Sequence, residues 1–324
     1  MTDIKKNLLF FFKKIVRIKR GQNLLIITDN YARPKFIGEL AMELSNELGV
    51  HPIMVVMEPR AHAGDEPPKF IANAMKEVDV IFEAVEKYSI SHTNARKEAN
   101  EAGVKFLFTF TEISEDHFGR EISFEDLKVI RKRTNTLAKM LTEASTATLT
   151  TPHGTNLTMG IKGRRGIALH PLTERISWLF PDYGEATISP KEGSTEGVVV
   201  VDGSVQGWGY LLKEPIRFNV KRGRIEKVMG RTEEVRKFKK IISMDENANN
   251  CAAEFGIGTS HTVPKNLHGG LWDYGSMGTV HIAVGRNNDI GGETWSKIHN
   301  DLLMTQPFLK LDGVRVLENG RIMV

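Results

Sequence analysis

The stretch NLLIITDNYARPKFIGELAMELSNELGVHPIMVVM, residues 23–57, decides how the first half of the chain is read. Residues 24–28 and 53–57 are short, continuous apolar runs. Between them, residues 34–48 carry a helical pattern with Pro34 in its first turn and Gly49 as its stop. The cycle recurs, with a helix near residues 69–77 before a strand at 78–82, and a helix near 94–102 before a strand at 104–108. Apolar strands without alternation, separated by helices, belong to a parallel sheet covered on both faces.

A long helix is expected from Ser123, which forms a capping-box-like pair with Asp126, to about Ala144. Beyond it the texture changes to short alternating strands, as at residues 147–151, 156–160, 197–201 and 216–220, punctuated by turns such as Asp202-Gly203 and Arg222-Gly223. The expected fold class is α/β, with an N-terminal parallel-sheet α/β domain (residues 1–145) and a β-rich α+β metal-binding domain (residues 146–324).

The composition is that of an ordinary globular chain: 324 residues, 40% hydrophobic, 26% charged and a net charge of +4. That charge is too mild to imply nucleic acid. Cys251 is the one cysteine, which excludes an intrachain disulfide or a four-cysteine zinc site and fits a cytoplasmic setting. No apolar run is long enough to cross a bilayer, so no membrane partner is expected. Residues 3–18 read as an amphipathic helix with Leu8, Phe11, Phe12, Ile15 and Val16 on one stripe and lysines around the rest. Arg164 and Arg165 read as surface charges. The proline-rich loop at residues 58–68 follows the end of a strand, where a ligand-facing loop is expected.

The chemistry gathers in residues 251–313. Read with a period of two, Val280, Ile282 and Val284 fall on one face and His281 on the other. His299 and Asp301 lie two residues apart and share a face of an extended chain. Two imidazoles and a carboxylate within about twenty residues suit Zn, Mn, Co or Fe(II) and leave coordination positions open. Glu254 offers a further carboxylate among glycines, in Ala253-Glu254-Phe255-Gly256-Ile257-Gly258. In the first half, Ser89-Ile90-Ser91-His92-Thr93-Asn94 opens a helix, where free N–H groups favour an anion.

Glu185 in Tyr183-Gly184-Glu185-Ala186, Glu254, His281 in His-Ile-Ala-Val-Gly, and His299-Asn300-Asp301 followed by Leu311-Asp312-Gly313 resemble, in order and context, the metal ligands of the thermophilic metallo-aminopeptidases, the aminopeptidase T-like group. The resemblance is firmest from about residue 145 onward. It implies that Glu185, Glu254, His281, His299 and Asp301 hold one or two divalent ions, and that Glu185 or Glu254 handles the proton of an attacking water. Glu185, which reads as a loop residue, joins the set on the resemblance alone. Two departures stand out: Ser276 and Asn288 occupy the places where the peptidase pattern has an acid and a tyrosine.

The chain also resembles the 2,5-dihydroxypyridine 5,6-dioxygenases, which hold one Fe(II) with two histidines and an aspartate. Both groups carry a histidine at the place of His92, which implies substrate contact or proton transfer there. In the dioxygenases a histidine stands where Glu254 is, and no acid matches Glu185. The leading expectation is therefore a metal-dependent, aminopeptidase-like hydrolase that uses Zn, Co or Mn on a small-molecule or short-peptide substrate and, as its relatives imply, a homodimer. The alternatives are a mononuclear Fe(II) ring-cleaving dioxygenase built on His281, His299 and Asp301, with His92 as base, and a non-enzymatic, metal-stabilised binding module.

Overall fold

The computed structural model describes residues 3–62, 64–110, 123–172, 177–179 and 182–324. It divides into two compact units, residues 1–128 with 170–183, and residues 129–169 with 184–324. The division falls inside the helix Phe124–Glu143, whose first turn is capped by Ser123: its Oγ accepts from the N–H groups of Glu125 (3.1 Å) and Asp126 (3.4 Å).

The first unit contains α1 (Asp3–Phe10), β1 (Asn23–Asp29), α2 (Ala32–Glu47), β2 (His51–Met57), α3 (Lys69–Ala74), β3 (Val80–Val85), α4 (Asn94–Glu101), β4 (Lys105–Phe110) and β8 (Ser177–Leu179). Its strands pair in parallel in the order β2-β1-β3-β4-β8, the arrangement expected from the apolar runs. One face buries Leu25, Ile27, Ile81 and Phe106 against Ile71, Met75, Ala95 and Ala99 from the helices. Beyond α1, a π-helical turn (Phe11–Val16) completes the amphipathic segment. Leu8, Phe11, Phe12 and Val16 are buried, Phe12 packs edge-on against Phe82 at 5.8 Å, and Lys5 pairs with Glu43 and Glu47 at 2.5 and 3.2 Å. The apolar stripe is thus spent on docking. Among the described residues, no helix is long and apolar enough to cross a membrane.

The anion expected at residues 89–94 turns out to be internal. The carboxylate of Glu66 accepts from the N–H groups of Asn94 (2.6 Å) and Ala95 (3.1 Å), so the loop after β2 supplies the cap of α4 from its own chain.

The second unit holds α5 (Phe124–Glu143, from Val129), β5 (Thr146–Thr150), β6 (Asn156–Gly160), β7 (Ile167–Leu169), β9 (Glu185–Ile188), β10 (Glu196–Val201), β11 (Ile216–Lys221), β12 (Arg224–Met229), α6 (Glu233–Ile241), β13 (Glu254–Gly258), α7 (Trp272–Gly275), β14 (Val280–Gly285), β15 (His299–Met304), β16 (Phe308–Leu311), β17 (Val314–Glu318) and β18 (Arg321–Ile322). They form two antiparallel sheets, in the orders β12-β11-β10-β6-β5-β16-β17-β18 and β15-β14-β13-β9-β7. Phe255, Ile257, Val280, Ile282, Val284, Leu302 and Met304 bury one face of the smaller sheet in a shared apolar core with Leu149, Leu157, Val199 and Phe218 of the larger. One local expectation is corrected: Glu185 opens strand β9 instead of lying in a loop, because it pairs across to Gly258. Arg164 is tied to Glu192 and to the carbonyl of Gly291.

The first unit buries one acid in mid-sheet. Glu83 of β3 is fully inaccessible and accepts from the Ser89 hydroxyl and from the Ile90 N–H (3.0 Å). Burial raises its pKa from 4.5 to about 7, outweighing the opposing effect of those two hydrogen bonds. The unfolded carboxyl titrates near its ordinary value. Between those two pH values the folded chain therefore keeps a proton that the unfolded chain has lost, and stability falls as pH rises, levelling off above the folded pKa. The total is on the order of 3 kcal/mol. Glu83→Gln is expected to flatten this part of the stability–pH curve in denaturant melts. An unchanged slope would assign the effect to another group.

Candidate metal centre

The face of the smaller sheet opposite the apolar core carries the chemistry. In an antiparallel pair, residues directly opposite point to the same side. The register sets Glu254, Ala283 and Asp301 in one transverse row; Thr187, Gly256 and His281 in the next; Glu185 opposite Gly258; and His299 opposite Gly285. Ligand-bearing positions thus alternate with glycine or alanine, and the small residues leave room above the sheet. The clearest case is Gly256, where a Cβ would lie 2.1 Å from Cε1 of His281 and 2.9 Å from Oε1 of Glu185.

All five expected ligands are buried, and they fall into two donor sets, Glu185–Glu254–His281 and Glu254–His299–Asp301, with the donor atoms of each within 4.8 Å of one another. Glu254 belongs to both. His281, His299 and Asp301, the triad of the alternative reading, do not fall into one donor set: His299 and Asp301 are grouped with Glu254, while His281 lies with Glu185, its Nε2 3.5 Å from Glu185 Oε1. His92 ends a short turn (Ile90–His92) of the first unit, and a role for it rests on the resemblance alone.

Two carboxylates converge on one ring nitrogen. His299 Nε2 lies 3.1 Å from Glu254 Oε2 and 3.3 Å from Asp301 Oδ1. Burial by itself would lower the pKa of His299, but the hydrogen bonds and charges of Asp301 and Glu254 prevail and hold it well above its ordinary value. For Glu254, burial pushes upward, yet the His299 hydrogen bond and charge draw its pKa below the usual range against the opposing charge of Asp301. Carboxylates this close repel by roughly 3–4 kcal/mol at an effective dielectric of about 20. The cluster demands positive charge, and buried oxygen and imidazole donors in this number meet the requirements of a divalent metal.

Neighbouring groups aim the ligands. His299 Nδ1–H donates to the carbonyl of Arg286 (2.8 Å), which leaves Nε2 directed at the carboxylates. The Thr187 hydroxyl donates to Glu254 Oε1, leaving Oε2 for His299. Tyr274, buried on α7, donates its hydroxyl to the carbonyl of Asp301 (3.2 Å), and its ring stands edge-on to the His281 imidazole at 5.3 Å. Sequence reading missed all three. Thr187 had a signal, lying two residues beyond Glu185 on the same strand face, whereas nothing local distinguishes Tyr274 or Arg286. Of the two departures, Ser276 bonds to the carbonyl of Pro264 (3.3 Å) and Asn288 accepts from Arg286 Nε (3.3 Å). The nearby acid Asp273 accepts from the N–H groups of His268 and Gly269 and serves the turn.

Gly256→Ala is expected to displace the His281 ring and the Glu185 carboxylate beside it, with the metal content found by elemental analysis unchanged. Tyr274→Phe, which keeps the ring and loses the hydroxyl, is expected to weaken metal affinity about tenfold with the fold intact by circular dichroism. A metal content halved in Gly256→Ala would show that His281 is a ligand.

The sequence profile of the 2,5-dihydroxypyridine 5,6-dioxygenase family (NicX) matches residues 12–324. No curated protein sequence matches the chain. Among solved structures, the fold is similar to the 2,5-dihydroxypyridine dioxygenase of Pseudomonas putida KT2440, with a TM-score of 0.80 at 16% identity over 99% of this chain and 98% of that one. It is also similar to AmpT of Thermus thermophilus, with a TM-score of 0.71 at 16% identity over 99% of each chain. Both similarities named from the sequence thus return as folds. With its profile matched over nearly the whole length and its carboxylates and imidazoles gathered on one sheet face, the chain belongs to the 2,5-dihydroxypyridine 5,6-dioxygenase (NicX) family.

Proposed function

We propose that the chain is a metal-dependent enzyme of oxidative ring cleavage, using Fe(II) on a small hydroxylated pyridine-like substrate. The family match over residues 12–324 carries this reading, and it reverses the order of the two enzyme classes expected from sequence, where the hydrolase came first. Glu254, His299 and Asp301 hold the metal from one face of the sheet. Bound there, the metal supplies a Lewis-acid centre and, as Fe(II), the electrons that oxygen requires. Glu185, outside that set and 3.5 Å from His281, is the carboxylate left to take a proton from a substrate hydroxyl, with the imidazole stabilising its charged form.

A specific observation favours a second reading. The set Glu185–Glu254–His281 shares Glu254 with the first, so the five residues would offer donors to two ions, as a metallo-hydrolase acting on amides near a free amino group would use them. The two readings give the Glu185–His281 pair opposite tasks, proton handling in one and metal ligation in the other. A homodimer in the cytoplasm is proposed with either, and sedimentation analysis checks the assembly.

Metal stoichiometry separates them. Protein reconstituted anaerobically is expected to hold one Fe(II) per chain and to consume oxygen with 2,5-dihydroxypyridine, whereas His281→Ala would keep its iron. Two Zn, Co or Mn ions per chain with release of amino acids from aminoacyl amides would overturn the oxygenase reading in favour of the hydrolase.

A further inference from the structure

Among the described residues, Arg286 of the second unit is a buried cation with no carboxylate at ion-pair distance. Arg286 follows the last residue of β14, is only 2% exposed, and is among the largest fully buried side chains. Its one side-chain hydrogen bond among the described residues runs from Nε to Asn288 Oδ1 (3.3 Å); Nη2 is buried without a hydrogen-bond partner, and no carboxylate lies within ion-pair distance. Two part-buried arginines of the same unit differ: Arg164 pairs with Glu192, and Arg133 donates to the carbonyl of Thr259 (2.7 Å). A guanidinium held out of water with donors unspent is costly unless an anion meets it.

The backbone of Arg286 and the side chain that follows it are hydrogen-bonded. Its N–H donates to the carbonyl of Ile298 (2.8 Å), and its carbonyl accepts from Nδ1–H of His299 (2.8 Å). The next side chain, Asn287, donates to Ser189 Oγ (3.0 Å), Glu192 Oε1 (3.0 Å) and the carbonyl of Ala252 (3.2 Å), and accepts from the Thr294 N–H (2.8 Å). A loop so bonded holds the guanidinium in place, and the backbone that carries it is the one that orients a metal-binding histidine. Asn288, which stands where the peptidase pattern has a tyrosine, steadies the guanidinium through Nε.

We infer that Arg286 receives an anionic oxygen substituent of the substrate, a ring carboxylate or ring oxyanion, through the planar donor edge that guanidinium offers to such groups. The inference deepens the ring-cleaving reading and rests on it only for the shape of the ligand. Removing the charge relieves the free protein while it abolishes anion binding.

The probes are nicotinate, its neutral counterpart nicotinamide, and acetate, followed by thermal melting and calorimetry of the full chain as purified and after chelation. Nicotinate is expected to raise the melting temperature saturably, nicotinamide and acetate to have far weaker effects, and the nicotinate shift to survive chelation. Arg286→Gln is expected to weaken nicotinate binding at least tenfold and Arg286→Lys to retain part of it. Arg286→Met is expected to melt at or above the parent. Binding that is lost on chelation and kept in Arg286→Gln would put the anion on the metal and overturn the inference. Acetate acting as strongly as nicotinate would make this a site for free anions and likewise overturn it, as would an Arg286→Met protein that melts well below the parent. If ring cleavage is absent but Arg286-dependent nicotinate binding persists, the functional reading fails and this inference stands.

Discussion

Three carboxylates and two imidazoles buried on one face of a five-stranded sheet form the constraint to which the second unit is built. Acidic groups cannot be held at this spacing, out of water, without positive charge among them. The two carboxylates nearest His299 draw its pKa upward against burial, which expresses the same demand in the protein's own groups. A cation at the centre satisfies it more completely than a proton, since each donor set presents several atoms to one point.

The antiparallel sheet meets the geometric side of that constraint. Its register brings side chains from β9, β13, β14 and β15 to one face, while the other face of the same strands is apolar and sealed against the larger sheet. Glycine at position 256 is as much a part of the centre as the ligands, because a Cβ there would occupy the space where the His281 imidazole and the Glu185 carboxylate meet. The supporting bonds follow the same economy. A threonine two residues from a ligand and a loop carbonyl each hold one atom of a ligand side chain and leave the other directed inward, while a tyrosine on a single-turn helix holds the backbone of a third.

The first unit uses its carboxyl groups differently. Glu83, Asp29 and Glu66 accept from backbone N–H groups of the loops that follow the parallel strands, and so tie those loops down from within. An anion-binding turn inferred from helix geometry was already filled by the protein itself. Local pattern reports that a group is needed at such a turn, but not whether a ligand or a side chain provides it.

The sequence alone determined the parallel α/β organisation of the first unit, because continuous apolar strands between capped helices have few other solutions. It also determined the one-face placement of His299 with Asp301 and the turning of His281 away from the apolar side, since strand periodicity is a local property. Tertiary structure decided the rest. Glu185 lies about seventy residues from Glu254 in the chain and reaches it only through the pairing of β9 with β13, and Glu254, not His281, completes the set with His299 and Asp301 because register, not spacing, sets which side chains share a row. Arg286 and Tyr274 were invisible for the same reason: their meaning lies in what surrounds them, and burial and partnership come into being only when distant strands close.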